Sequence, residues 1–190
     1  MKPESIFEVD NTSQDGNSIA FWYWPDDLGG RYEFGVSADL EAAYDAADLR
    51  YAASIGFYSP TGEYYITKFQ DVASGSDNIM VVRLSEMYLT RAEALVMGAS
   101  PTGADTRLSD FNVTYTRAGL TAFAGTLTQD MILDERRFEF AFEGHRWYDL
   151  KRTGNAISVI PSVISTDDYL WPIPQDERDV NPNLDQNPGY

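Results

Sequence analysis

The chain has 190 residues and a mass of 21.3 kDa, enough for one domain with a sizeable core. With 30 Asp and Glu against 14 Lys and Arg, its formal net charge is -16, a field that repels nucleic-acid phosphate, which makes nucleic acid a poor partner, and that argues against docking on anionic lipid through a polybasic patch. There is no cysteine, which removes disulfides, thiolate metal sites and cysteine nucleophiles.

Charge and aromatic content divide the chain into three regions, expected to belong to a single domain over 1–190. Residues 1–82 are an acid- and aromatic-rich loop and helix region, with 14 acids against 4 bases and 14 of the 26 aromatic residues. Asp10 to Asn17 is polar loop by composition. Phe21-Trp22-Tyr23-Trp24-Pro25 follows, and alternation predicts an extended segment with Trp22 and Trp24 on one face. Ser37 to Tyr51 has helical spacing, with Ser37 as N-cap. The longest aliphatic run, Ile79 to Val82, is too short to cross a bilayer. Met1 to Glu4 lack the apolar stretch of a signal peptide.

Residues 83–154 are more clearly helical. Leu84, Met87, Tyr88, Ala92 and Leu95 recur at i, i+3, i+4, and Gly98 falls where a C′ residue belongs. Leu108, Phe111, Asn112 and Tyr115 predict a second helix ending near Gly119. Thr128 is the expected cap of a third, holding Met131, Leu133, Phe138, Phe140 and Phe142 and breaking near Gly144. A fourth carries Trp147, Tyr148 and Leu150 and stops at Gly154. Residues 155–190 are rich in proline and predict an extended segment.

Little in the chain supports catalysis or metal binding. Its one histidine, His145, sits at a helix break, and there is no Gly-x-Ser-x-Gly elbow, phosphate loop or dinucleotide fingerprint. Counted from Asp10, a calcium loop would need Gly at position 6, which is Asp15, and Glu at position 12, which is Phe21. No catalytic residue, metal ligand or cofactor is assigned. Glu135, Glu139 and Glu143 stack at i, i+4, i+8 beside Arg136 and Arg137, which predicts a partly buried ionic network. The aromatics around the Pro/Gly-rich loop carry the binding signal. Trp22, Trp24 and Tyr32 are the ligand-site candidates, because sugar C–H faces stack on such rings while nearby polar groups bond the hydroxyls.

The run Glu135 to Arg152, ERRFEFAFEGHRWYDLKR, resembles the signature of the SusD/RagB family of outer-membrane nutrient-binding lipoproteins. Glu4 to Val9, Val82 to Ala94, Arg117-Ala118-Gly119, Pro172-Ile173-Pro174 and the terminal Gln186 to Tyr190 are similar to further family segments in the same order. Tyr115 and Phe140 depart from the common arginine and leucine. The resemblance implies a mainly α, SusD-like C-terminal portion with tetratricopeptide-like helical hairpins and long irregular loops. It also implies a longer parent, lipid-anchored on the surface of the outer membrane of a Bacteroidetes-type cell. Such proteins capture an oligosaccharide or polysaccharide without catalysis and pass it to a partner SusC-like TonB-dependent transporter. The alternative is a protein-interaction scaffold docking on the transporter, with the ligand bound elsewhere.

Overall fold

The computed structural model describes residues 4–190. The fold is mainly α, the class the sequence predicts, with helices joined by long irregular loops and two small antiparallel ribbons. The chain forms two compact units, one up to Glu143 and one over Gly144–Tyr190.

In the first unit, β1 (Ser5–Val9) pairs with β4 (Ile79–Arg83), and β2 (Ile55–Tyr58) with β3 (Glu63–Ile66). Three short helices, α1 (Ile19–Tyr23), α2 (Ala38–Glu41) and α3 (Leu49–Ser54), lie between β1 and β2. Then come α4 (Leu84–Val96), α5 (Arg107–Arg117) and α6 (Gln129–Glu139). These three share one apolar core of Leu89, Ala92, Phe111, Leu127, Ile132 and Phe140. The local signals read in this stretch operate as expected. Gly98 takes φ +97° past the end of α4, donating its N–H to the Leu95 carbonyl while Ala99 N–H reaches Ala94. Thr128 Oγ1 accepts the Met131 N–H at 3.3 Å. Thr128→Ala is therefore expected to cost about 1 kcal/mol. A denaturation midpoint unchanged from the parent would show that the cap contributes nothing.

Several expectations need correction. The helix predicted over Ser37–Tyr51 is two pieces, α2 and α3. Asp45 and Asp48 divide it, since Asp45 Oδ1 accepts the Ala47 N–H at 2.8 Å and Asp48 Oδ1 accepts the Arg50 N–H at 2.9 Å. Local side-chain bonding of this kind competes with helix continuation. Phe140 and Phe142 lie beyond α6, in a turn where Phe142 adopts φ +66°. That conformation costs a bulky residue about 1–3 kcal/mol. It is held by Lys68, whose amine donates to the Glu139 and Ala141 carbonyls at 3.1 Å each.

The glutamates of α6 form the expected ionic network, but with cations from elsewhere in the chain. Arg50 grips Glu135 through both Nη atoms, at 2.7 and 3.1 Å, and Asp48 through Nε and Nη2. Arg83 reaches Glu139 Oε1 at 2.5 Å, Glu143 Oε2 at 2.8 Å and Glu4 Oε1 at 2.7 Å. Arg117 also pairs with Glu139, and Lys68 with Glu143. Arg137 instead bonds Asp39 at 2.7 Å. The network ties α3, β4, α5 and the segment after β3 to the end of α6.

The second unit holds α7 (His145–Arg152), α8 (Ala156–Val159) and α9 (Gln175–Val180). Leu150, Ala156 and Val163 form its core. The tail expected to be extended thus contains helical turns. A 3-10 turn at Thr166–Tyr169 is closed by a capping box between Ser165 and Asp168. α9 starts directly after Pro174, with Asp176 and Glu177 in its first turn, where the helix dipole favours acids.

Candidate functional site

The candidate site is built from the loop that follows α1. Ile19 opens α1 by donating its N–H to Asn17 Oδ1 at 2.9 Å. Pro25 closes it, because a residue before proline is pushed out of the helical region; Trp24 is extended, with ψ 149°. Trp22 therefore lies in a helix, and the predicted alternation of Trp22 and Trp24 across an extended segment is replaced by a helix-to-loop junction. After a 3-10 turn at Asp26–Leu28 the chain doubles back. Arg31 N–H bonds the Phe21 carbonyl at 2.7 Å, Tyr32 that of Trp24 at 2.9 Å and Glu33 that of Trp22 at 2.9 Å. Gly30 makes this reversal possible, since a Cβ there would stand 2.0 Å from the Trp24 carbonyl oxygen.

Of the three sequence-derived candidates, Trp22 lies on α1 and Trp24 and Tyr32 on the loop after it; all are half-buried, and they differ in what they touch. Trp24 donates Nε1–H to the Phe69 carbonyl at 2.8 Å and sets its ring edge-on to Tyr65 at 5.3 Å. Tyr32, in the left-handed region at φ +46°, donates its hydroxyl to the Tyr64 carbonyl at 2.8 Å. Burial, with the Glu63 carboxylate nearby, pushes its phenol pKa upward. Both side chains fasten the loop to β3 and the segment after it. Trp22 meets Phe21 edge-to-face at 5.1 Å, and the Arg31 guanidinium stands over its ring at 5.5 Å.

The most open rings near them are Phe34 and Phe57, 59% and 57% exposed. Phe34 contacts Tyr23 at 6.4 Å, and Phe57, on β2, contacts Tyr64 at 5.1 Å. Tyr58 donates its hydroxyl to Asp27 Oδ2 at 2.8 Å, joining the hairpin to the loop. Phe34 belongs to the aromatic cluster that carries the binding signal in the sequence but not to the three candidates, and Phe57 belongs to neither. Reading Ser59-Pro60-Thr61-Gly62 as a hairpin turn would have revealed β2, but alternation would have put Phe57 on the face of the buried Ile55, so its exposure is decided by tertiary packing.

A second concavity, about 500 Å³, lies between α2 and α3 against Tyr44 and Tyr51. Tyr51 donates its hydroxyl to Glu41 Oε1 at 3.0 Å. Tyr44 has its phenol pKa pushed up to about 12 by burial. Among the described residues no cluster of three His, Asp or Glu is placed to hold a metal ion, and no helix is long and apolar enough to cross a membrane. His145 is the first residue of α7 and is half-buried.

Comparison with known proteins places this geometry in context. The model of the SusD family matches residues 29–159 and 153–190. A SusD-like protein P38 of Formosa agariphila is 31% identical over 172 residues, covering 81% of this chain and 33% of that protein. The starch-binding protein SusD of Bacteroides thetaiotaomicron is 34% identical over 133 residues, covering 60% of this chain and 22% of its own length. Among solved structures, a laminarin-binding SusD-like protein superposes with a TM-score of 0.84 at 26% identity, over 100% of this chain and 50% of that one. The surface glycan-binding protein A of Bacteroides thetaiotaomicron, in complex with laminarihexaose, gives 0.79 at 26% identity, over 97% of this chain and 52% of that one. The chain thus spans a third or less of these curated relatives and about half of these solved ones.

Proposed function

The chain belongs to the SusD family, and from that premise we propose that it is a non-catalytic glycan-binding module. The observation that carries this reading is the loop Trp22–Phe34 over the β2–β3 hairpin. It carries the Trp22 ring, the exposed ring of Phe34 and the exposed Asp26 and Asp27 carboxylates, and it packs on the hairpin face of Tyr58 and Tyr65. Sugar C–H faces stack on such rings, and the carboxylates accept hydroxyl protons. No bond is made or broken. Trp24 and Tyr32 contribute by holding the loop in place.

Import through a partner SusC-like TonB-dependent transporter belongs to the same proposal, as does a longer, lipid-anchored parent at the outer-membrane surface. Co-purification of that parent with a transporter barrel tests the partner directly. A second reading, a scaffold docking on the transporter with the ligand held elsewhere, is favoured by the inward hydrogen bonds of Trp24 and Tyr32.

Calorimetric titration with a panel of oligosaccharides separates the two. Glycan binding predicts heat with at least one ligand, weakened about tenfold in Trp22→Ala, a loss of about 1.4 kcal/mol. Heat that survives Trp22→Ala at full affinity removes the site assignment. No heat from the folded chain favours the scaffold.

A further inference from the structure

Resting on the glycan-binding reading above, we infer that the Trp22–Phe34 surface takes uncharged glycans and discriminates against those bearing uronate carboxylates or sulfate esters. A site for an anionic sugar needs a cation free to meet it. The first 82 residues contain four: Lys2, Arg31, Arg50 and Lys68. Lys2 lies outside the described residues. Arg50 is held by Asp48, Glu135 and Glu139, and its side chain is only 13% exposed. Lys68 is paired with Glu143 and donates to two carbonyls.

Among the described cations of this region only Arg31 stands at the loop; its side chain is 60% exposed, but it is occupied twice, by Glu33 at 2.8 Å and by the Trp22 ring. Around the same rings the other exposed charged side chains are acids, namely Asp26, Asp27, Glu33 and Glu63. Asp26, Asp27 and Glu33 sit within the Trp22–Phe34 stretch and Glu63 on β3 of the hairpin. A uronate or sulfate stacked there meets like charge, which salt at physiological strength screens only over about 8 Å. An uncharged sugar meets the same carboxylates as acceptors for its hydroxyl protons, without that repulsion.

The test compares polymers by affinity electrophoresis and calorimetry at 0.15 M salt. The uncharged set is laminarin, starch dextrins, xyloglucan, galactomannan and dextran; the charged set is alginate, polygalacturonate and carrageenan. The expected result is binding to at least one uncharged polymer and at least tenfold weaker binding to every charged one, a gap that narrows as salt is raised. In Asp26→Asn/Glu33→Gln, which removes two acids and frees Arg31, the gap narrows without added salt. A charged polymer bound as tightly as the best uncharged one, or more tightly, overturns this inference and leaves the glycan-binding reading standing. No binding to any polymer overturns both.

Discussion

Glu139→Gln is expected to lower stability by about 3–5 kcal/mol, a fall in melting temperature on the order of 10 °C. The Glu139 side chain is 2% exposed and meets three guanidinium groups: Arg83 at 2.5 Å, Arg50 at 3.3 Å, and Arg117. An amide keeps the shape and removes the charge, so three cations are left facing a neutral group in a poorly solvated place. The backbone around it has no substitute, because Lys68 and Arg83 also cap the Glu139 carbonyl. Removing Arg83 as well should cost less than the sum of the two single changes, since each variant breaks the same contacts. A melting temperature unchanged in Glu139→Gln would mean that the cluster is solvated and the network is not structural.

The same cluster sets a pH dependence. Burial alone would raise the Glu139 pKa; the positive charges of Arg83 and Arg117 outweigh it and hold the carboxyl at about 2, against an ordinary 4.5. For Glu4 burial is likewise outweighed, by bonds from Ser85 and Arg117, and its pKa is lowered. A depressed carboxyl contributes stability that is present above the unfolded value and is lost as pH falls through the folded one. Glu135 runs the other way. Burial lifts its pKa despite Arg50, so its protonation returns part of that stability in acid. The melting temperature should therefore fall as pH drops from about 4.5 towards 2, and fall less steeply in Glu139→Gln. Identical slopes in the two proteins would remove Glu139 from the explanation.

Gly30→Ala is expected to damage stability and binding together, by about 3 kcal/mol and at least tenfold in affinity. The new Cβ would stand 2.0 Å from the Trp24 carbonyl oxygen and 2.5 Å from its carbon. Both are backbone atoms, so no rotamer relieves the clash. The loop must open, which weakens the bonds from Gly30 N–H to Pro25 and from Tyr32 N–H to Trp24. Tyr32 and Trp24 then lose their seats on the Tyr64 and Phe69 carbonyls, and the Trp22 ring moves with them. Gly98→Ala is the matched control. Its Cβ meets nothing within 4 Å, and only the φ of +97° is strained, at about 1–2 kcal/mol. Calorimetry and thermal melts on both variants decide the matter. If Gly30→Ala binds and melts like Gly98→Ala, the close approach does not shape the site.

Trp24 and Tyr32 show how far the aromatic loop could be read without the fold. In the sequence both read as ligand contacts, because tryptophan and tyrosine near Pro and Gly suit sugar recognition. Such residues equally suit an anchor, with an apolar body and one polar tip that needs a partner. Their partners, Phe69 and Tyr64, are 45 and 32 residues away, and nothing local announces them. The two ribbons were hidden for a related reason. β1 and β4 satisfy their hydrogen bonds across some seventy residues, and their register carries irregularities that blur any alternation.

Read alone, the sequence determined the helices between Leu84 and Arg152, their caps at Thr128 and Gly98, the acidic field and the family signature. Those signals are local: a cap, a C′ glycine and a 3.6-residue period act within a few residues of where they are written. Tertiary structure alone decided which cations neutralise the α6 glutamates and which aromatic rings of the loop face solvent. Arg50 reaches Glu135 across 85 residues and Arg83 reaches Glu139 across 56. The adjacent Arg137 points away to Asp39. Pairing at that range is set by which surfaces the core brings together, and no spacing along the chain encodes it.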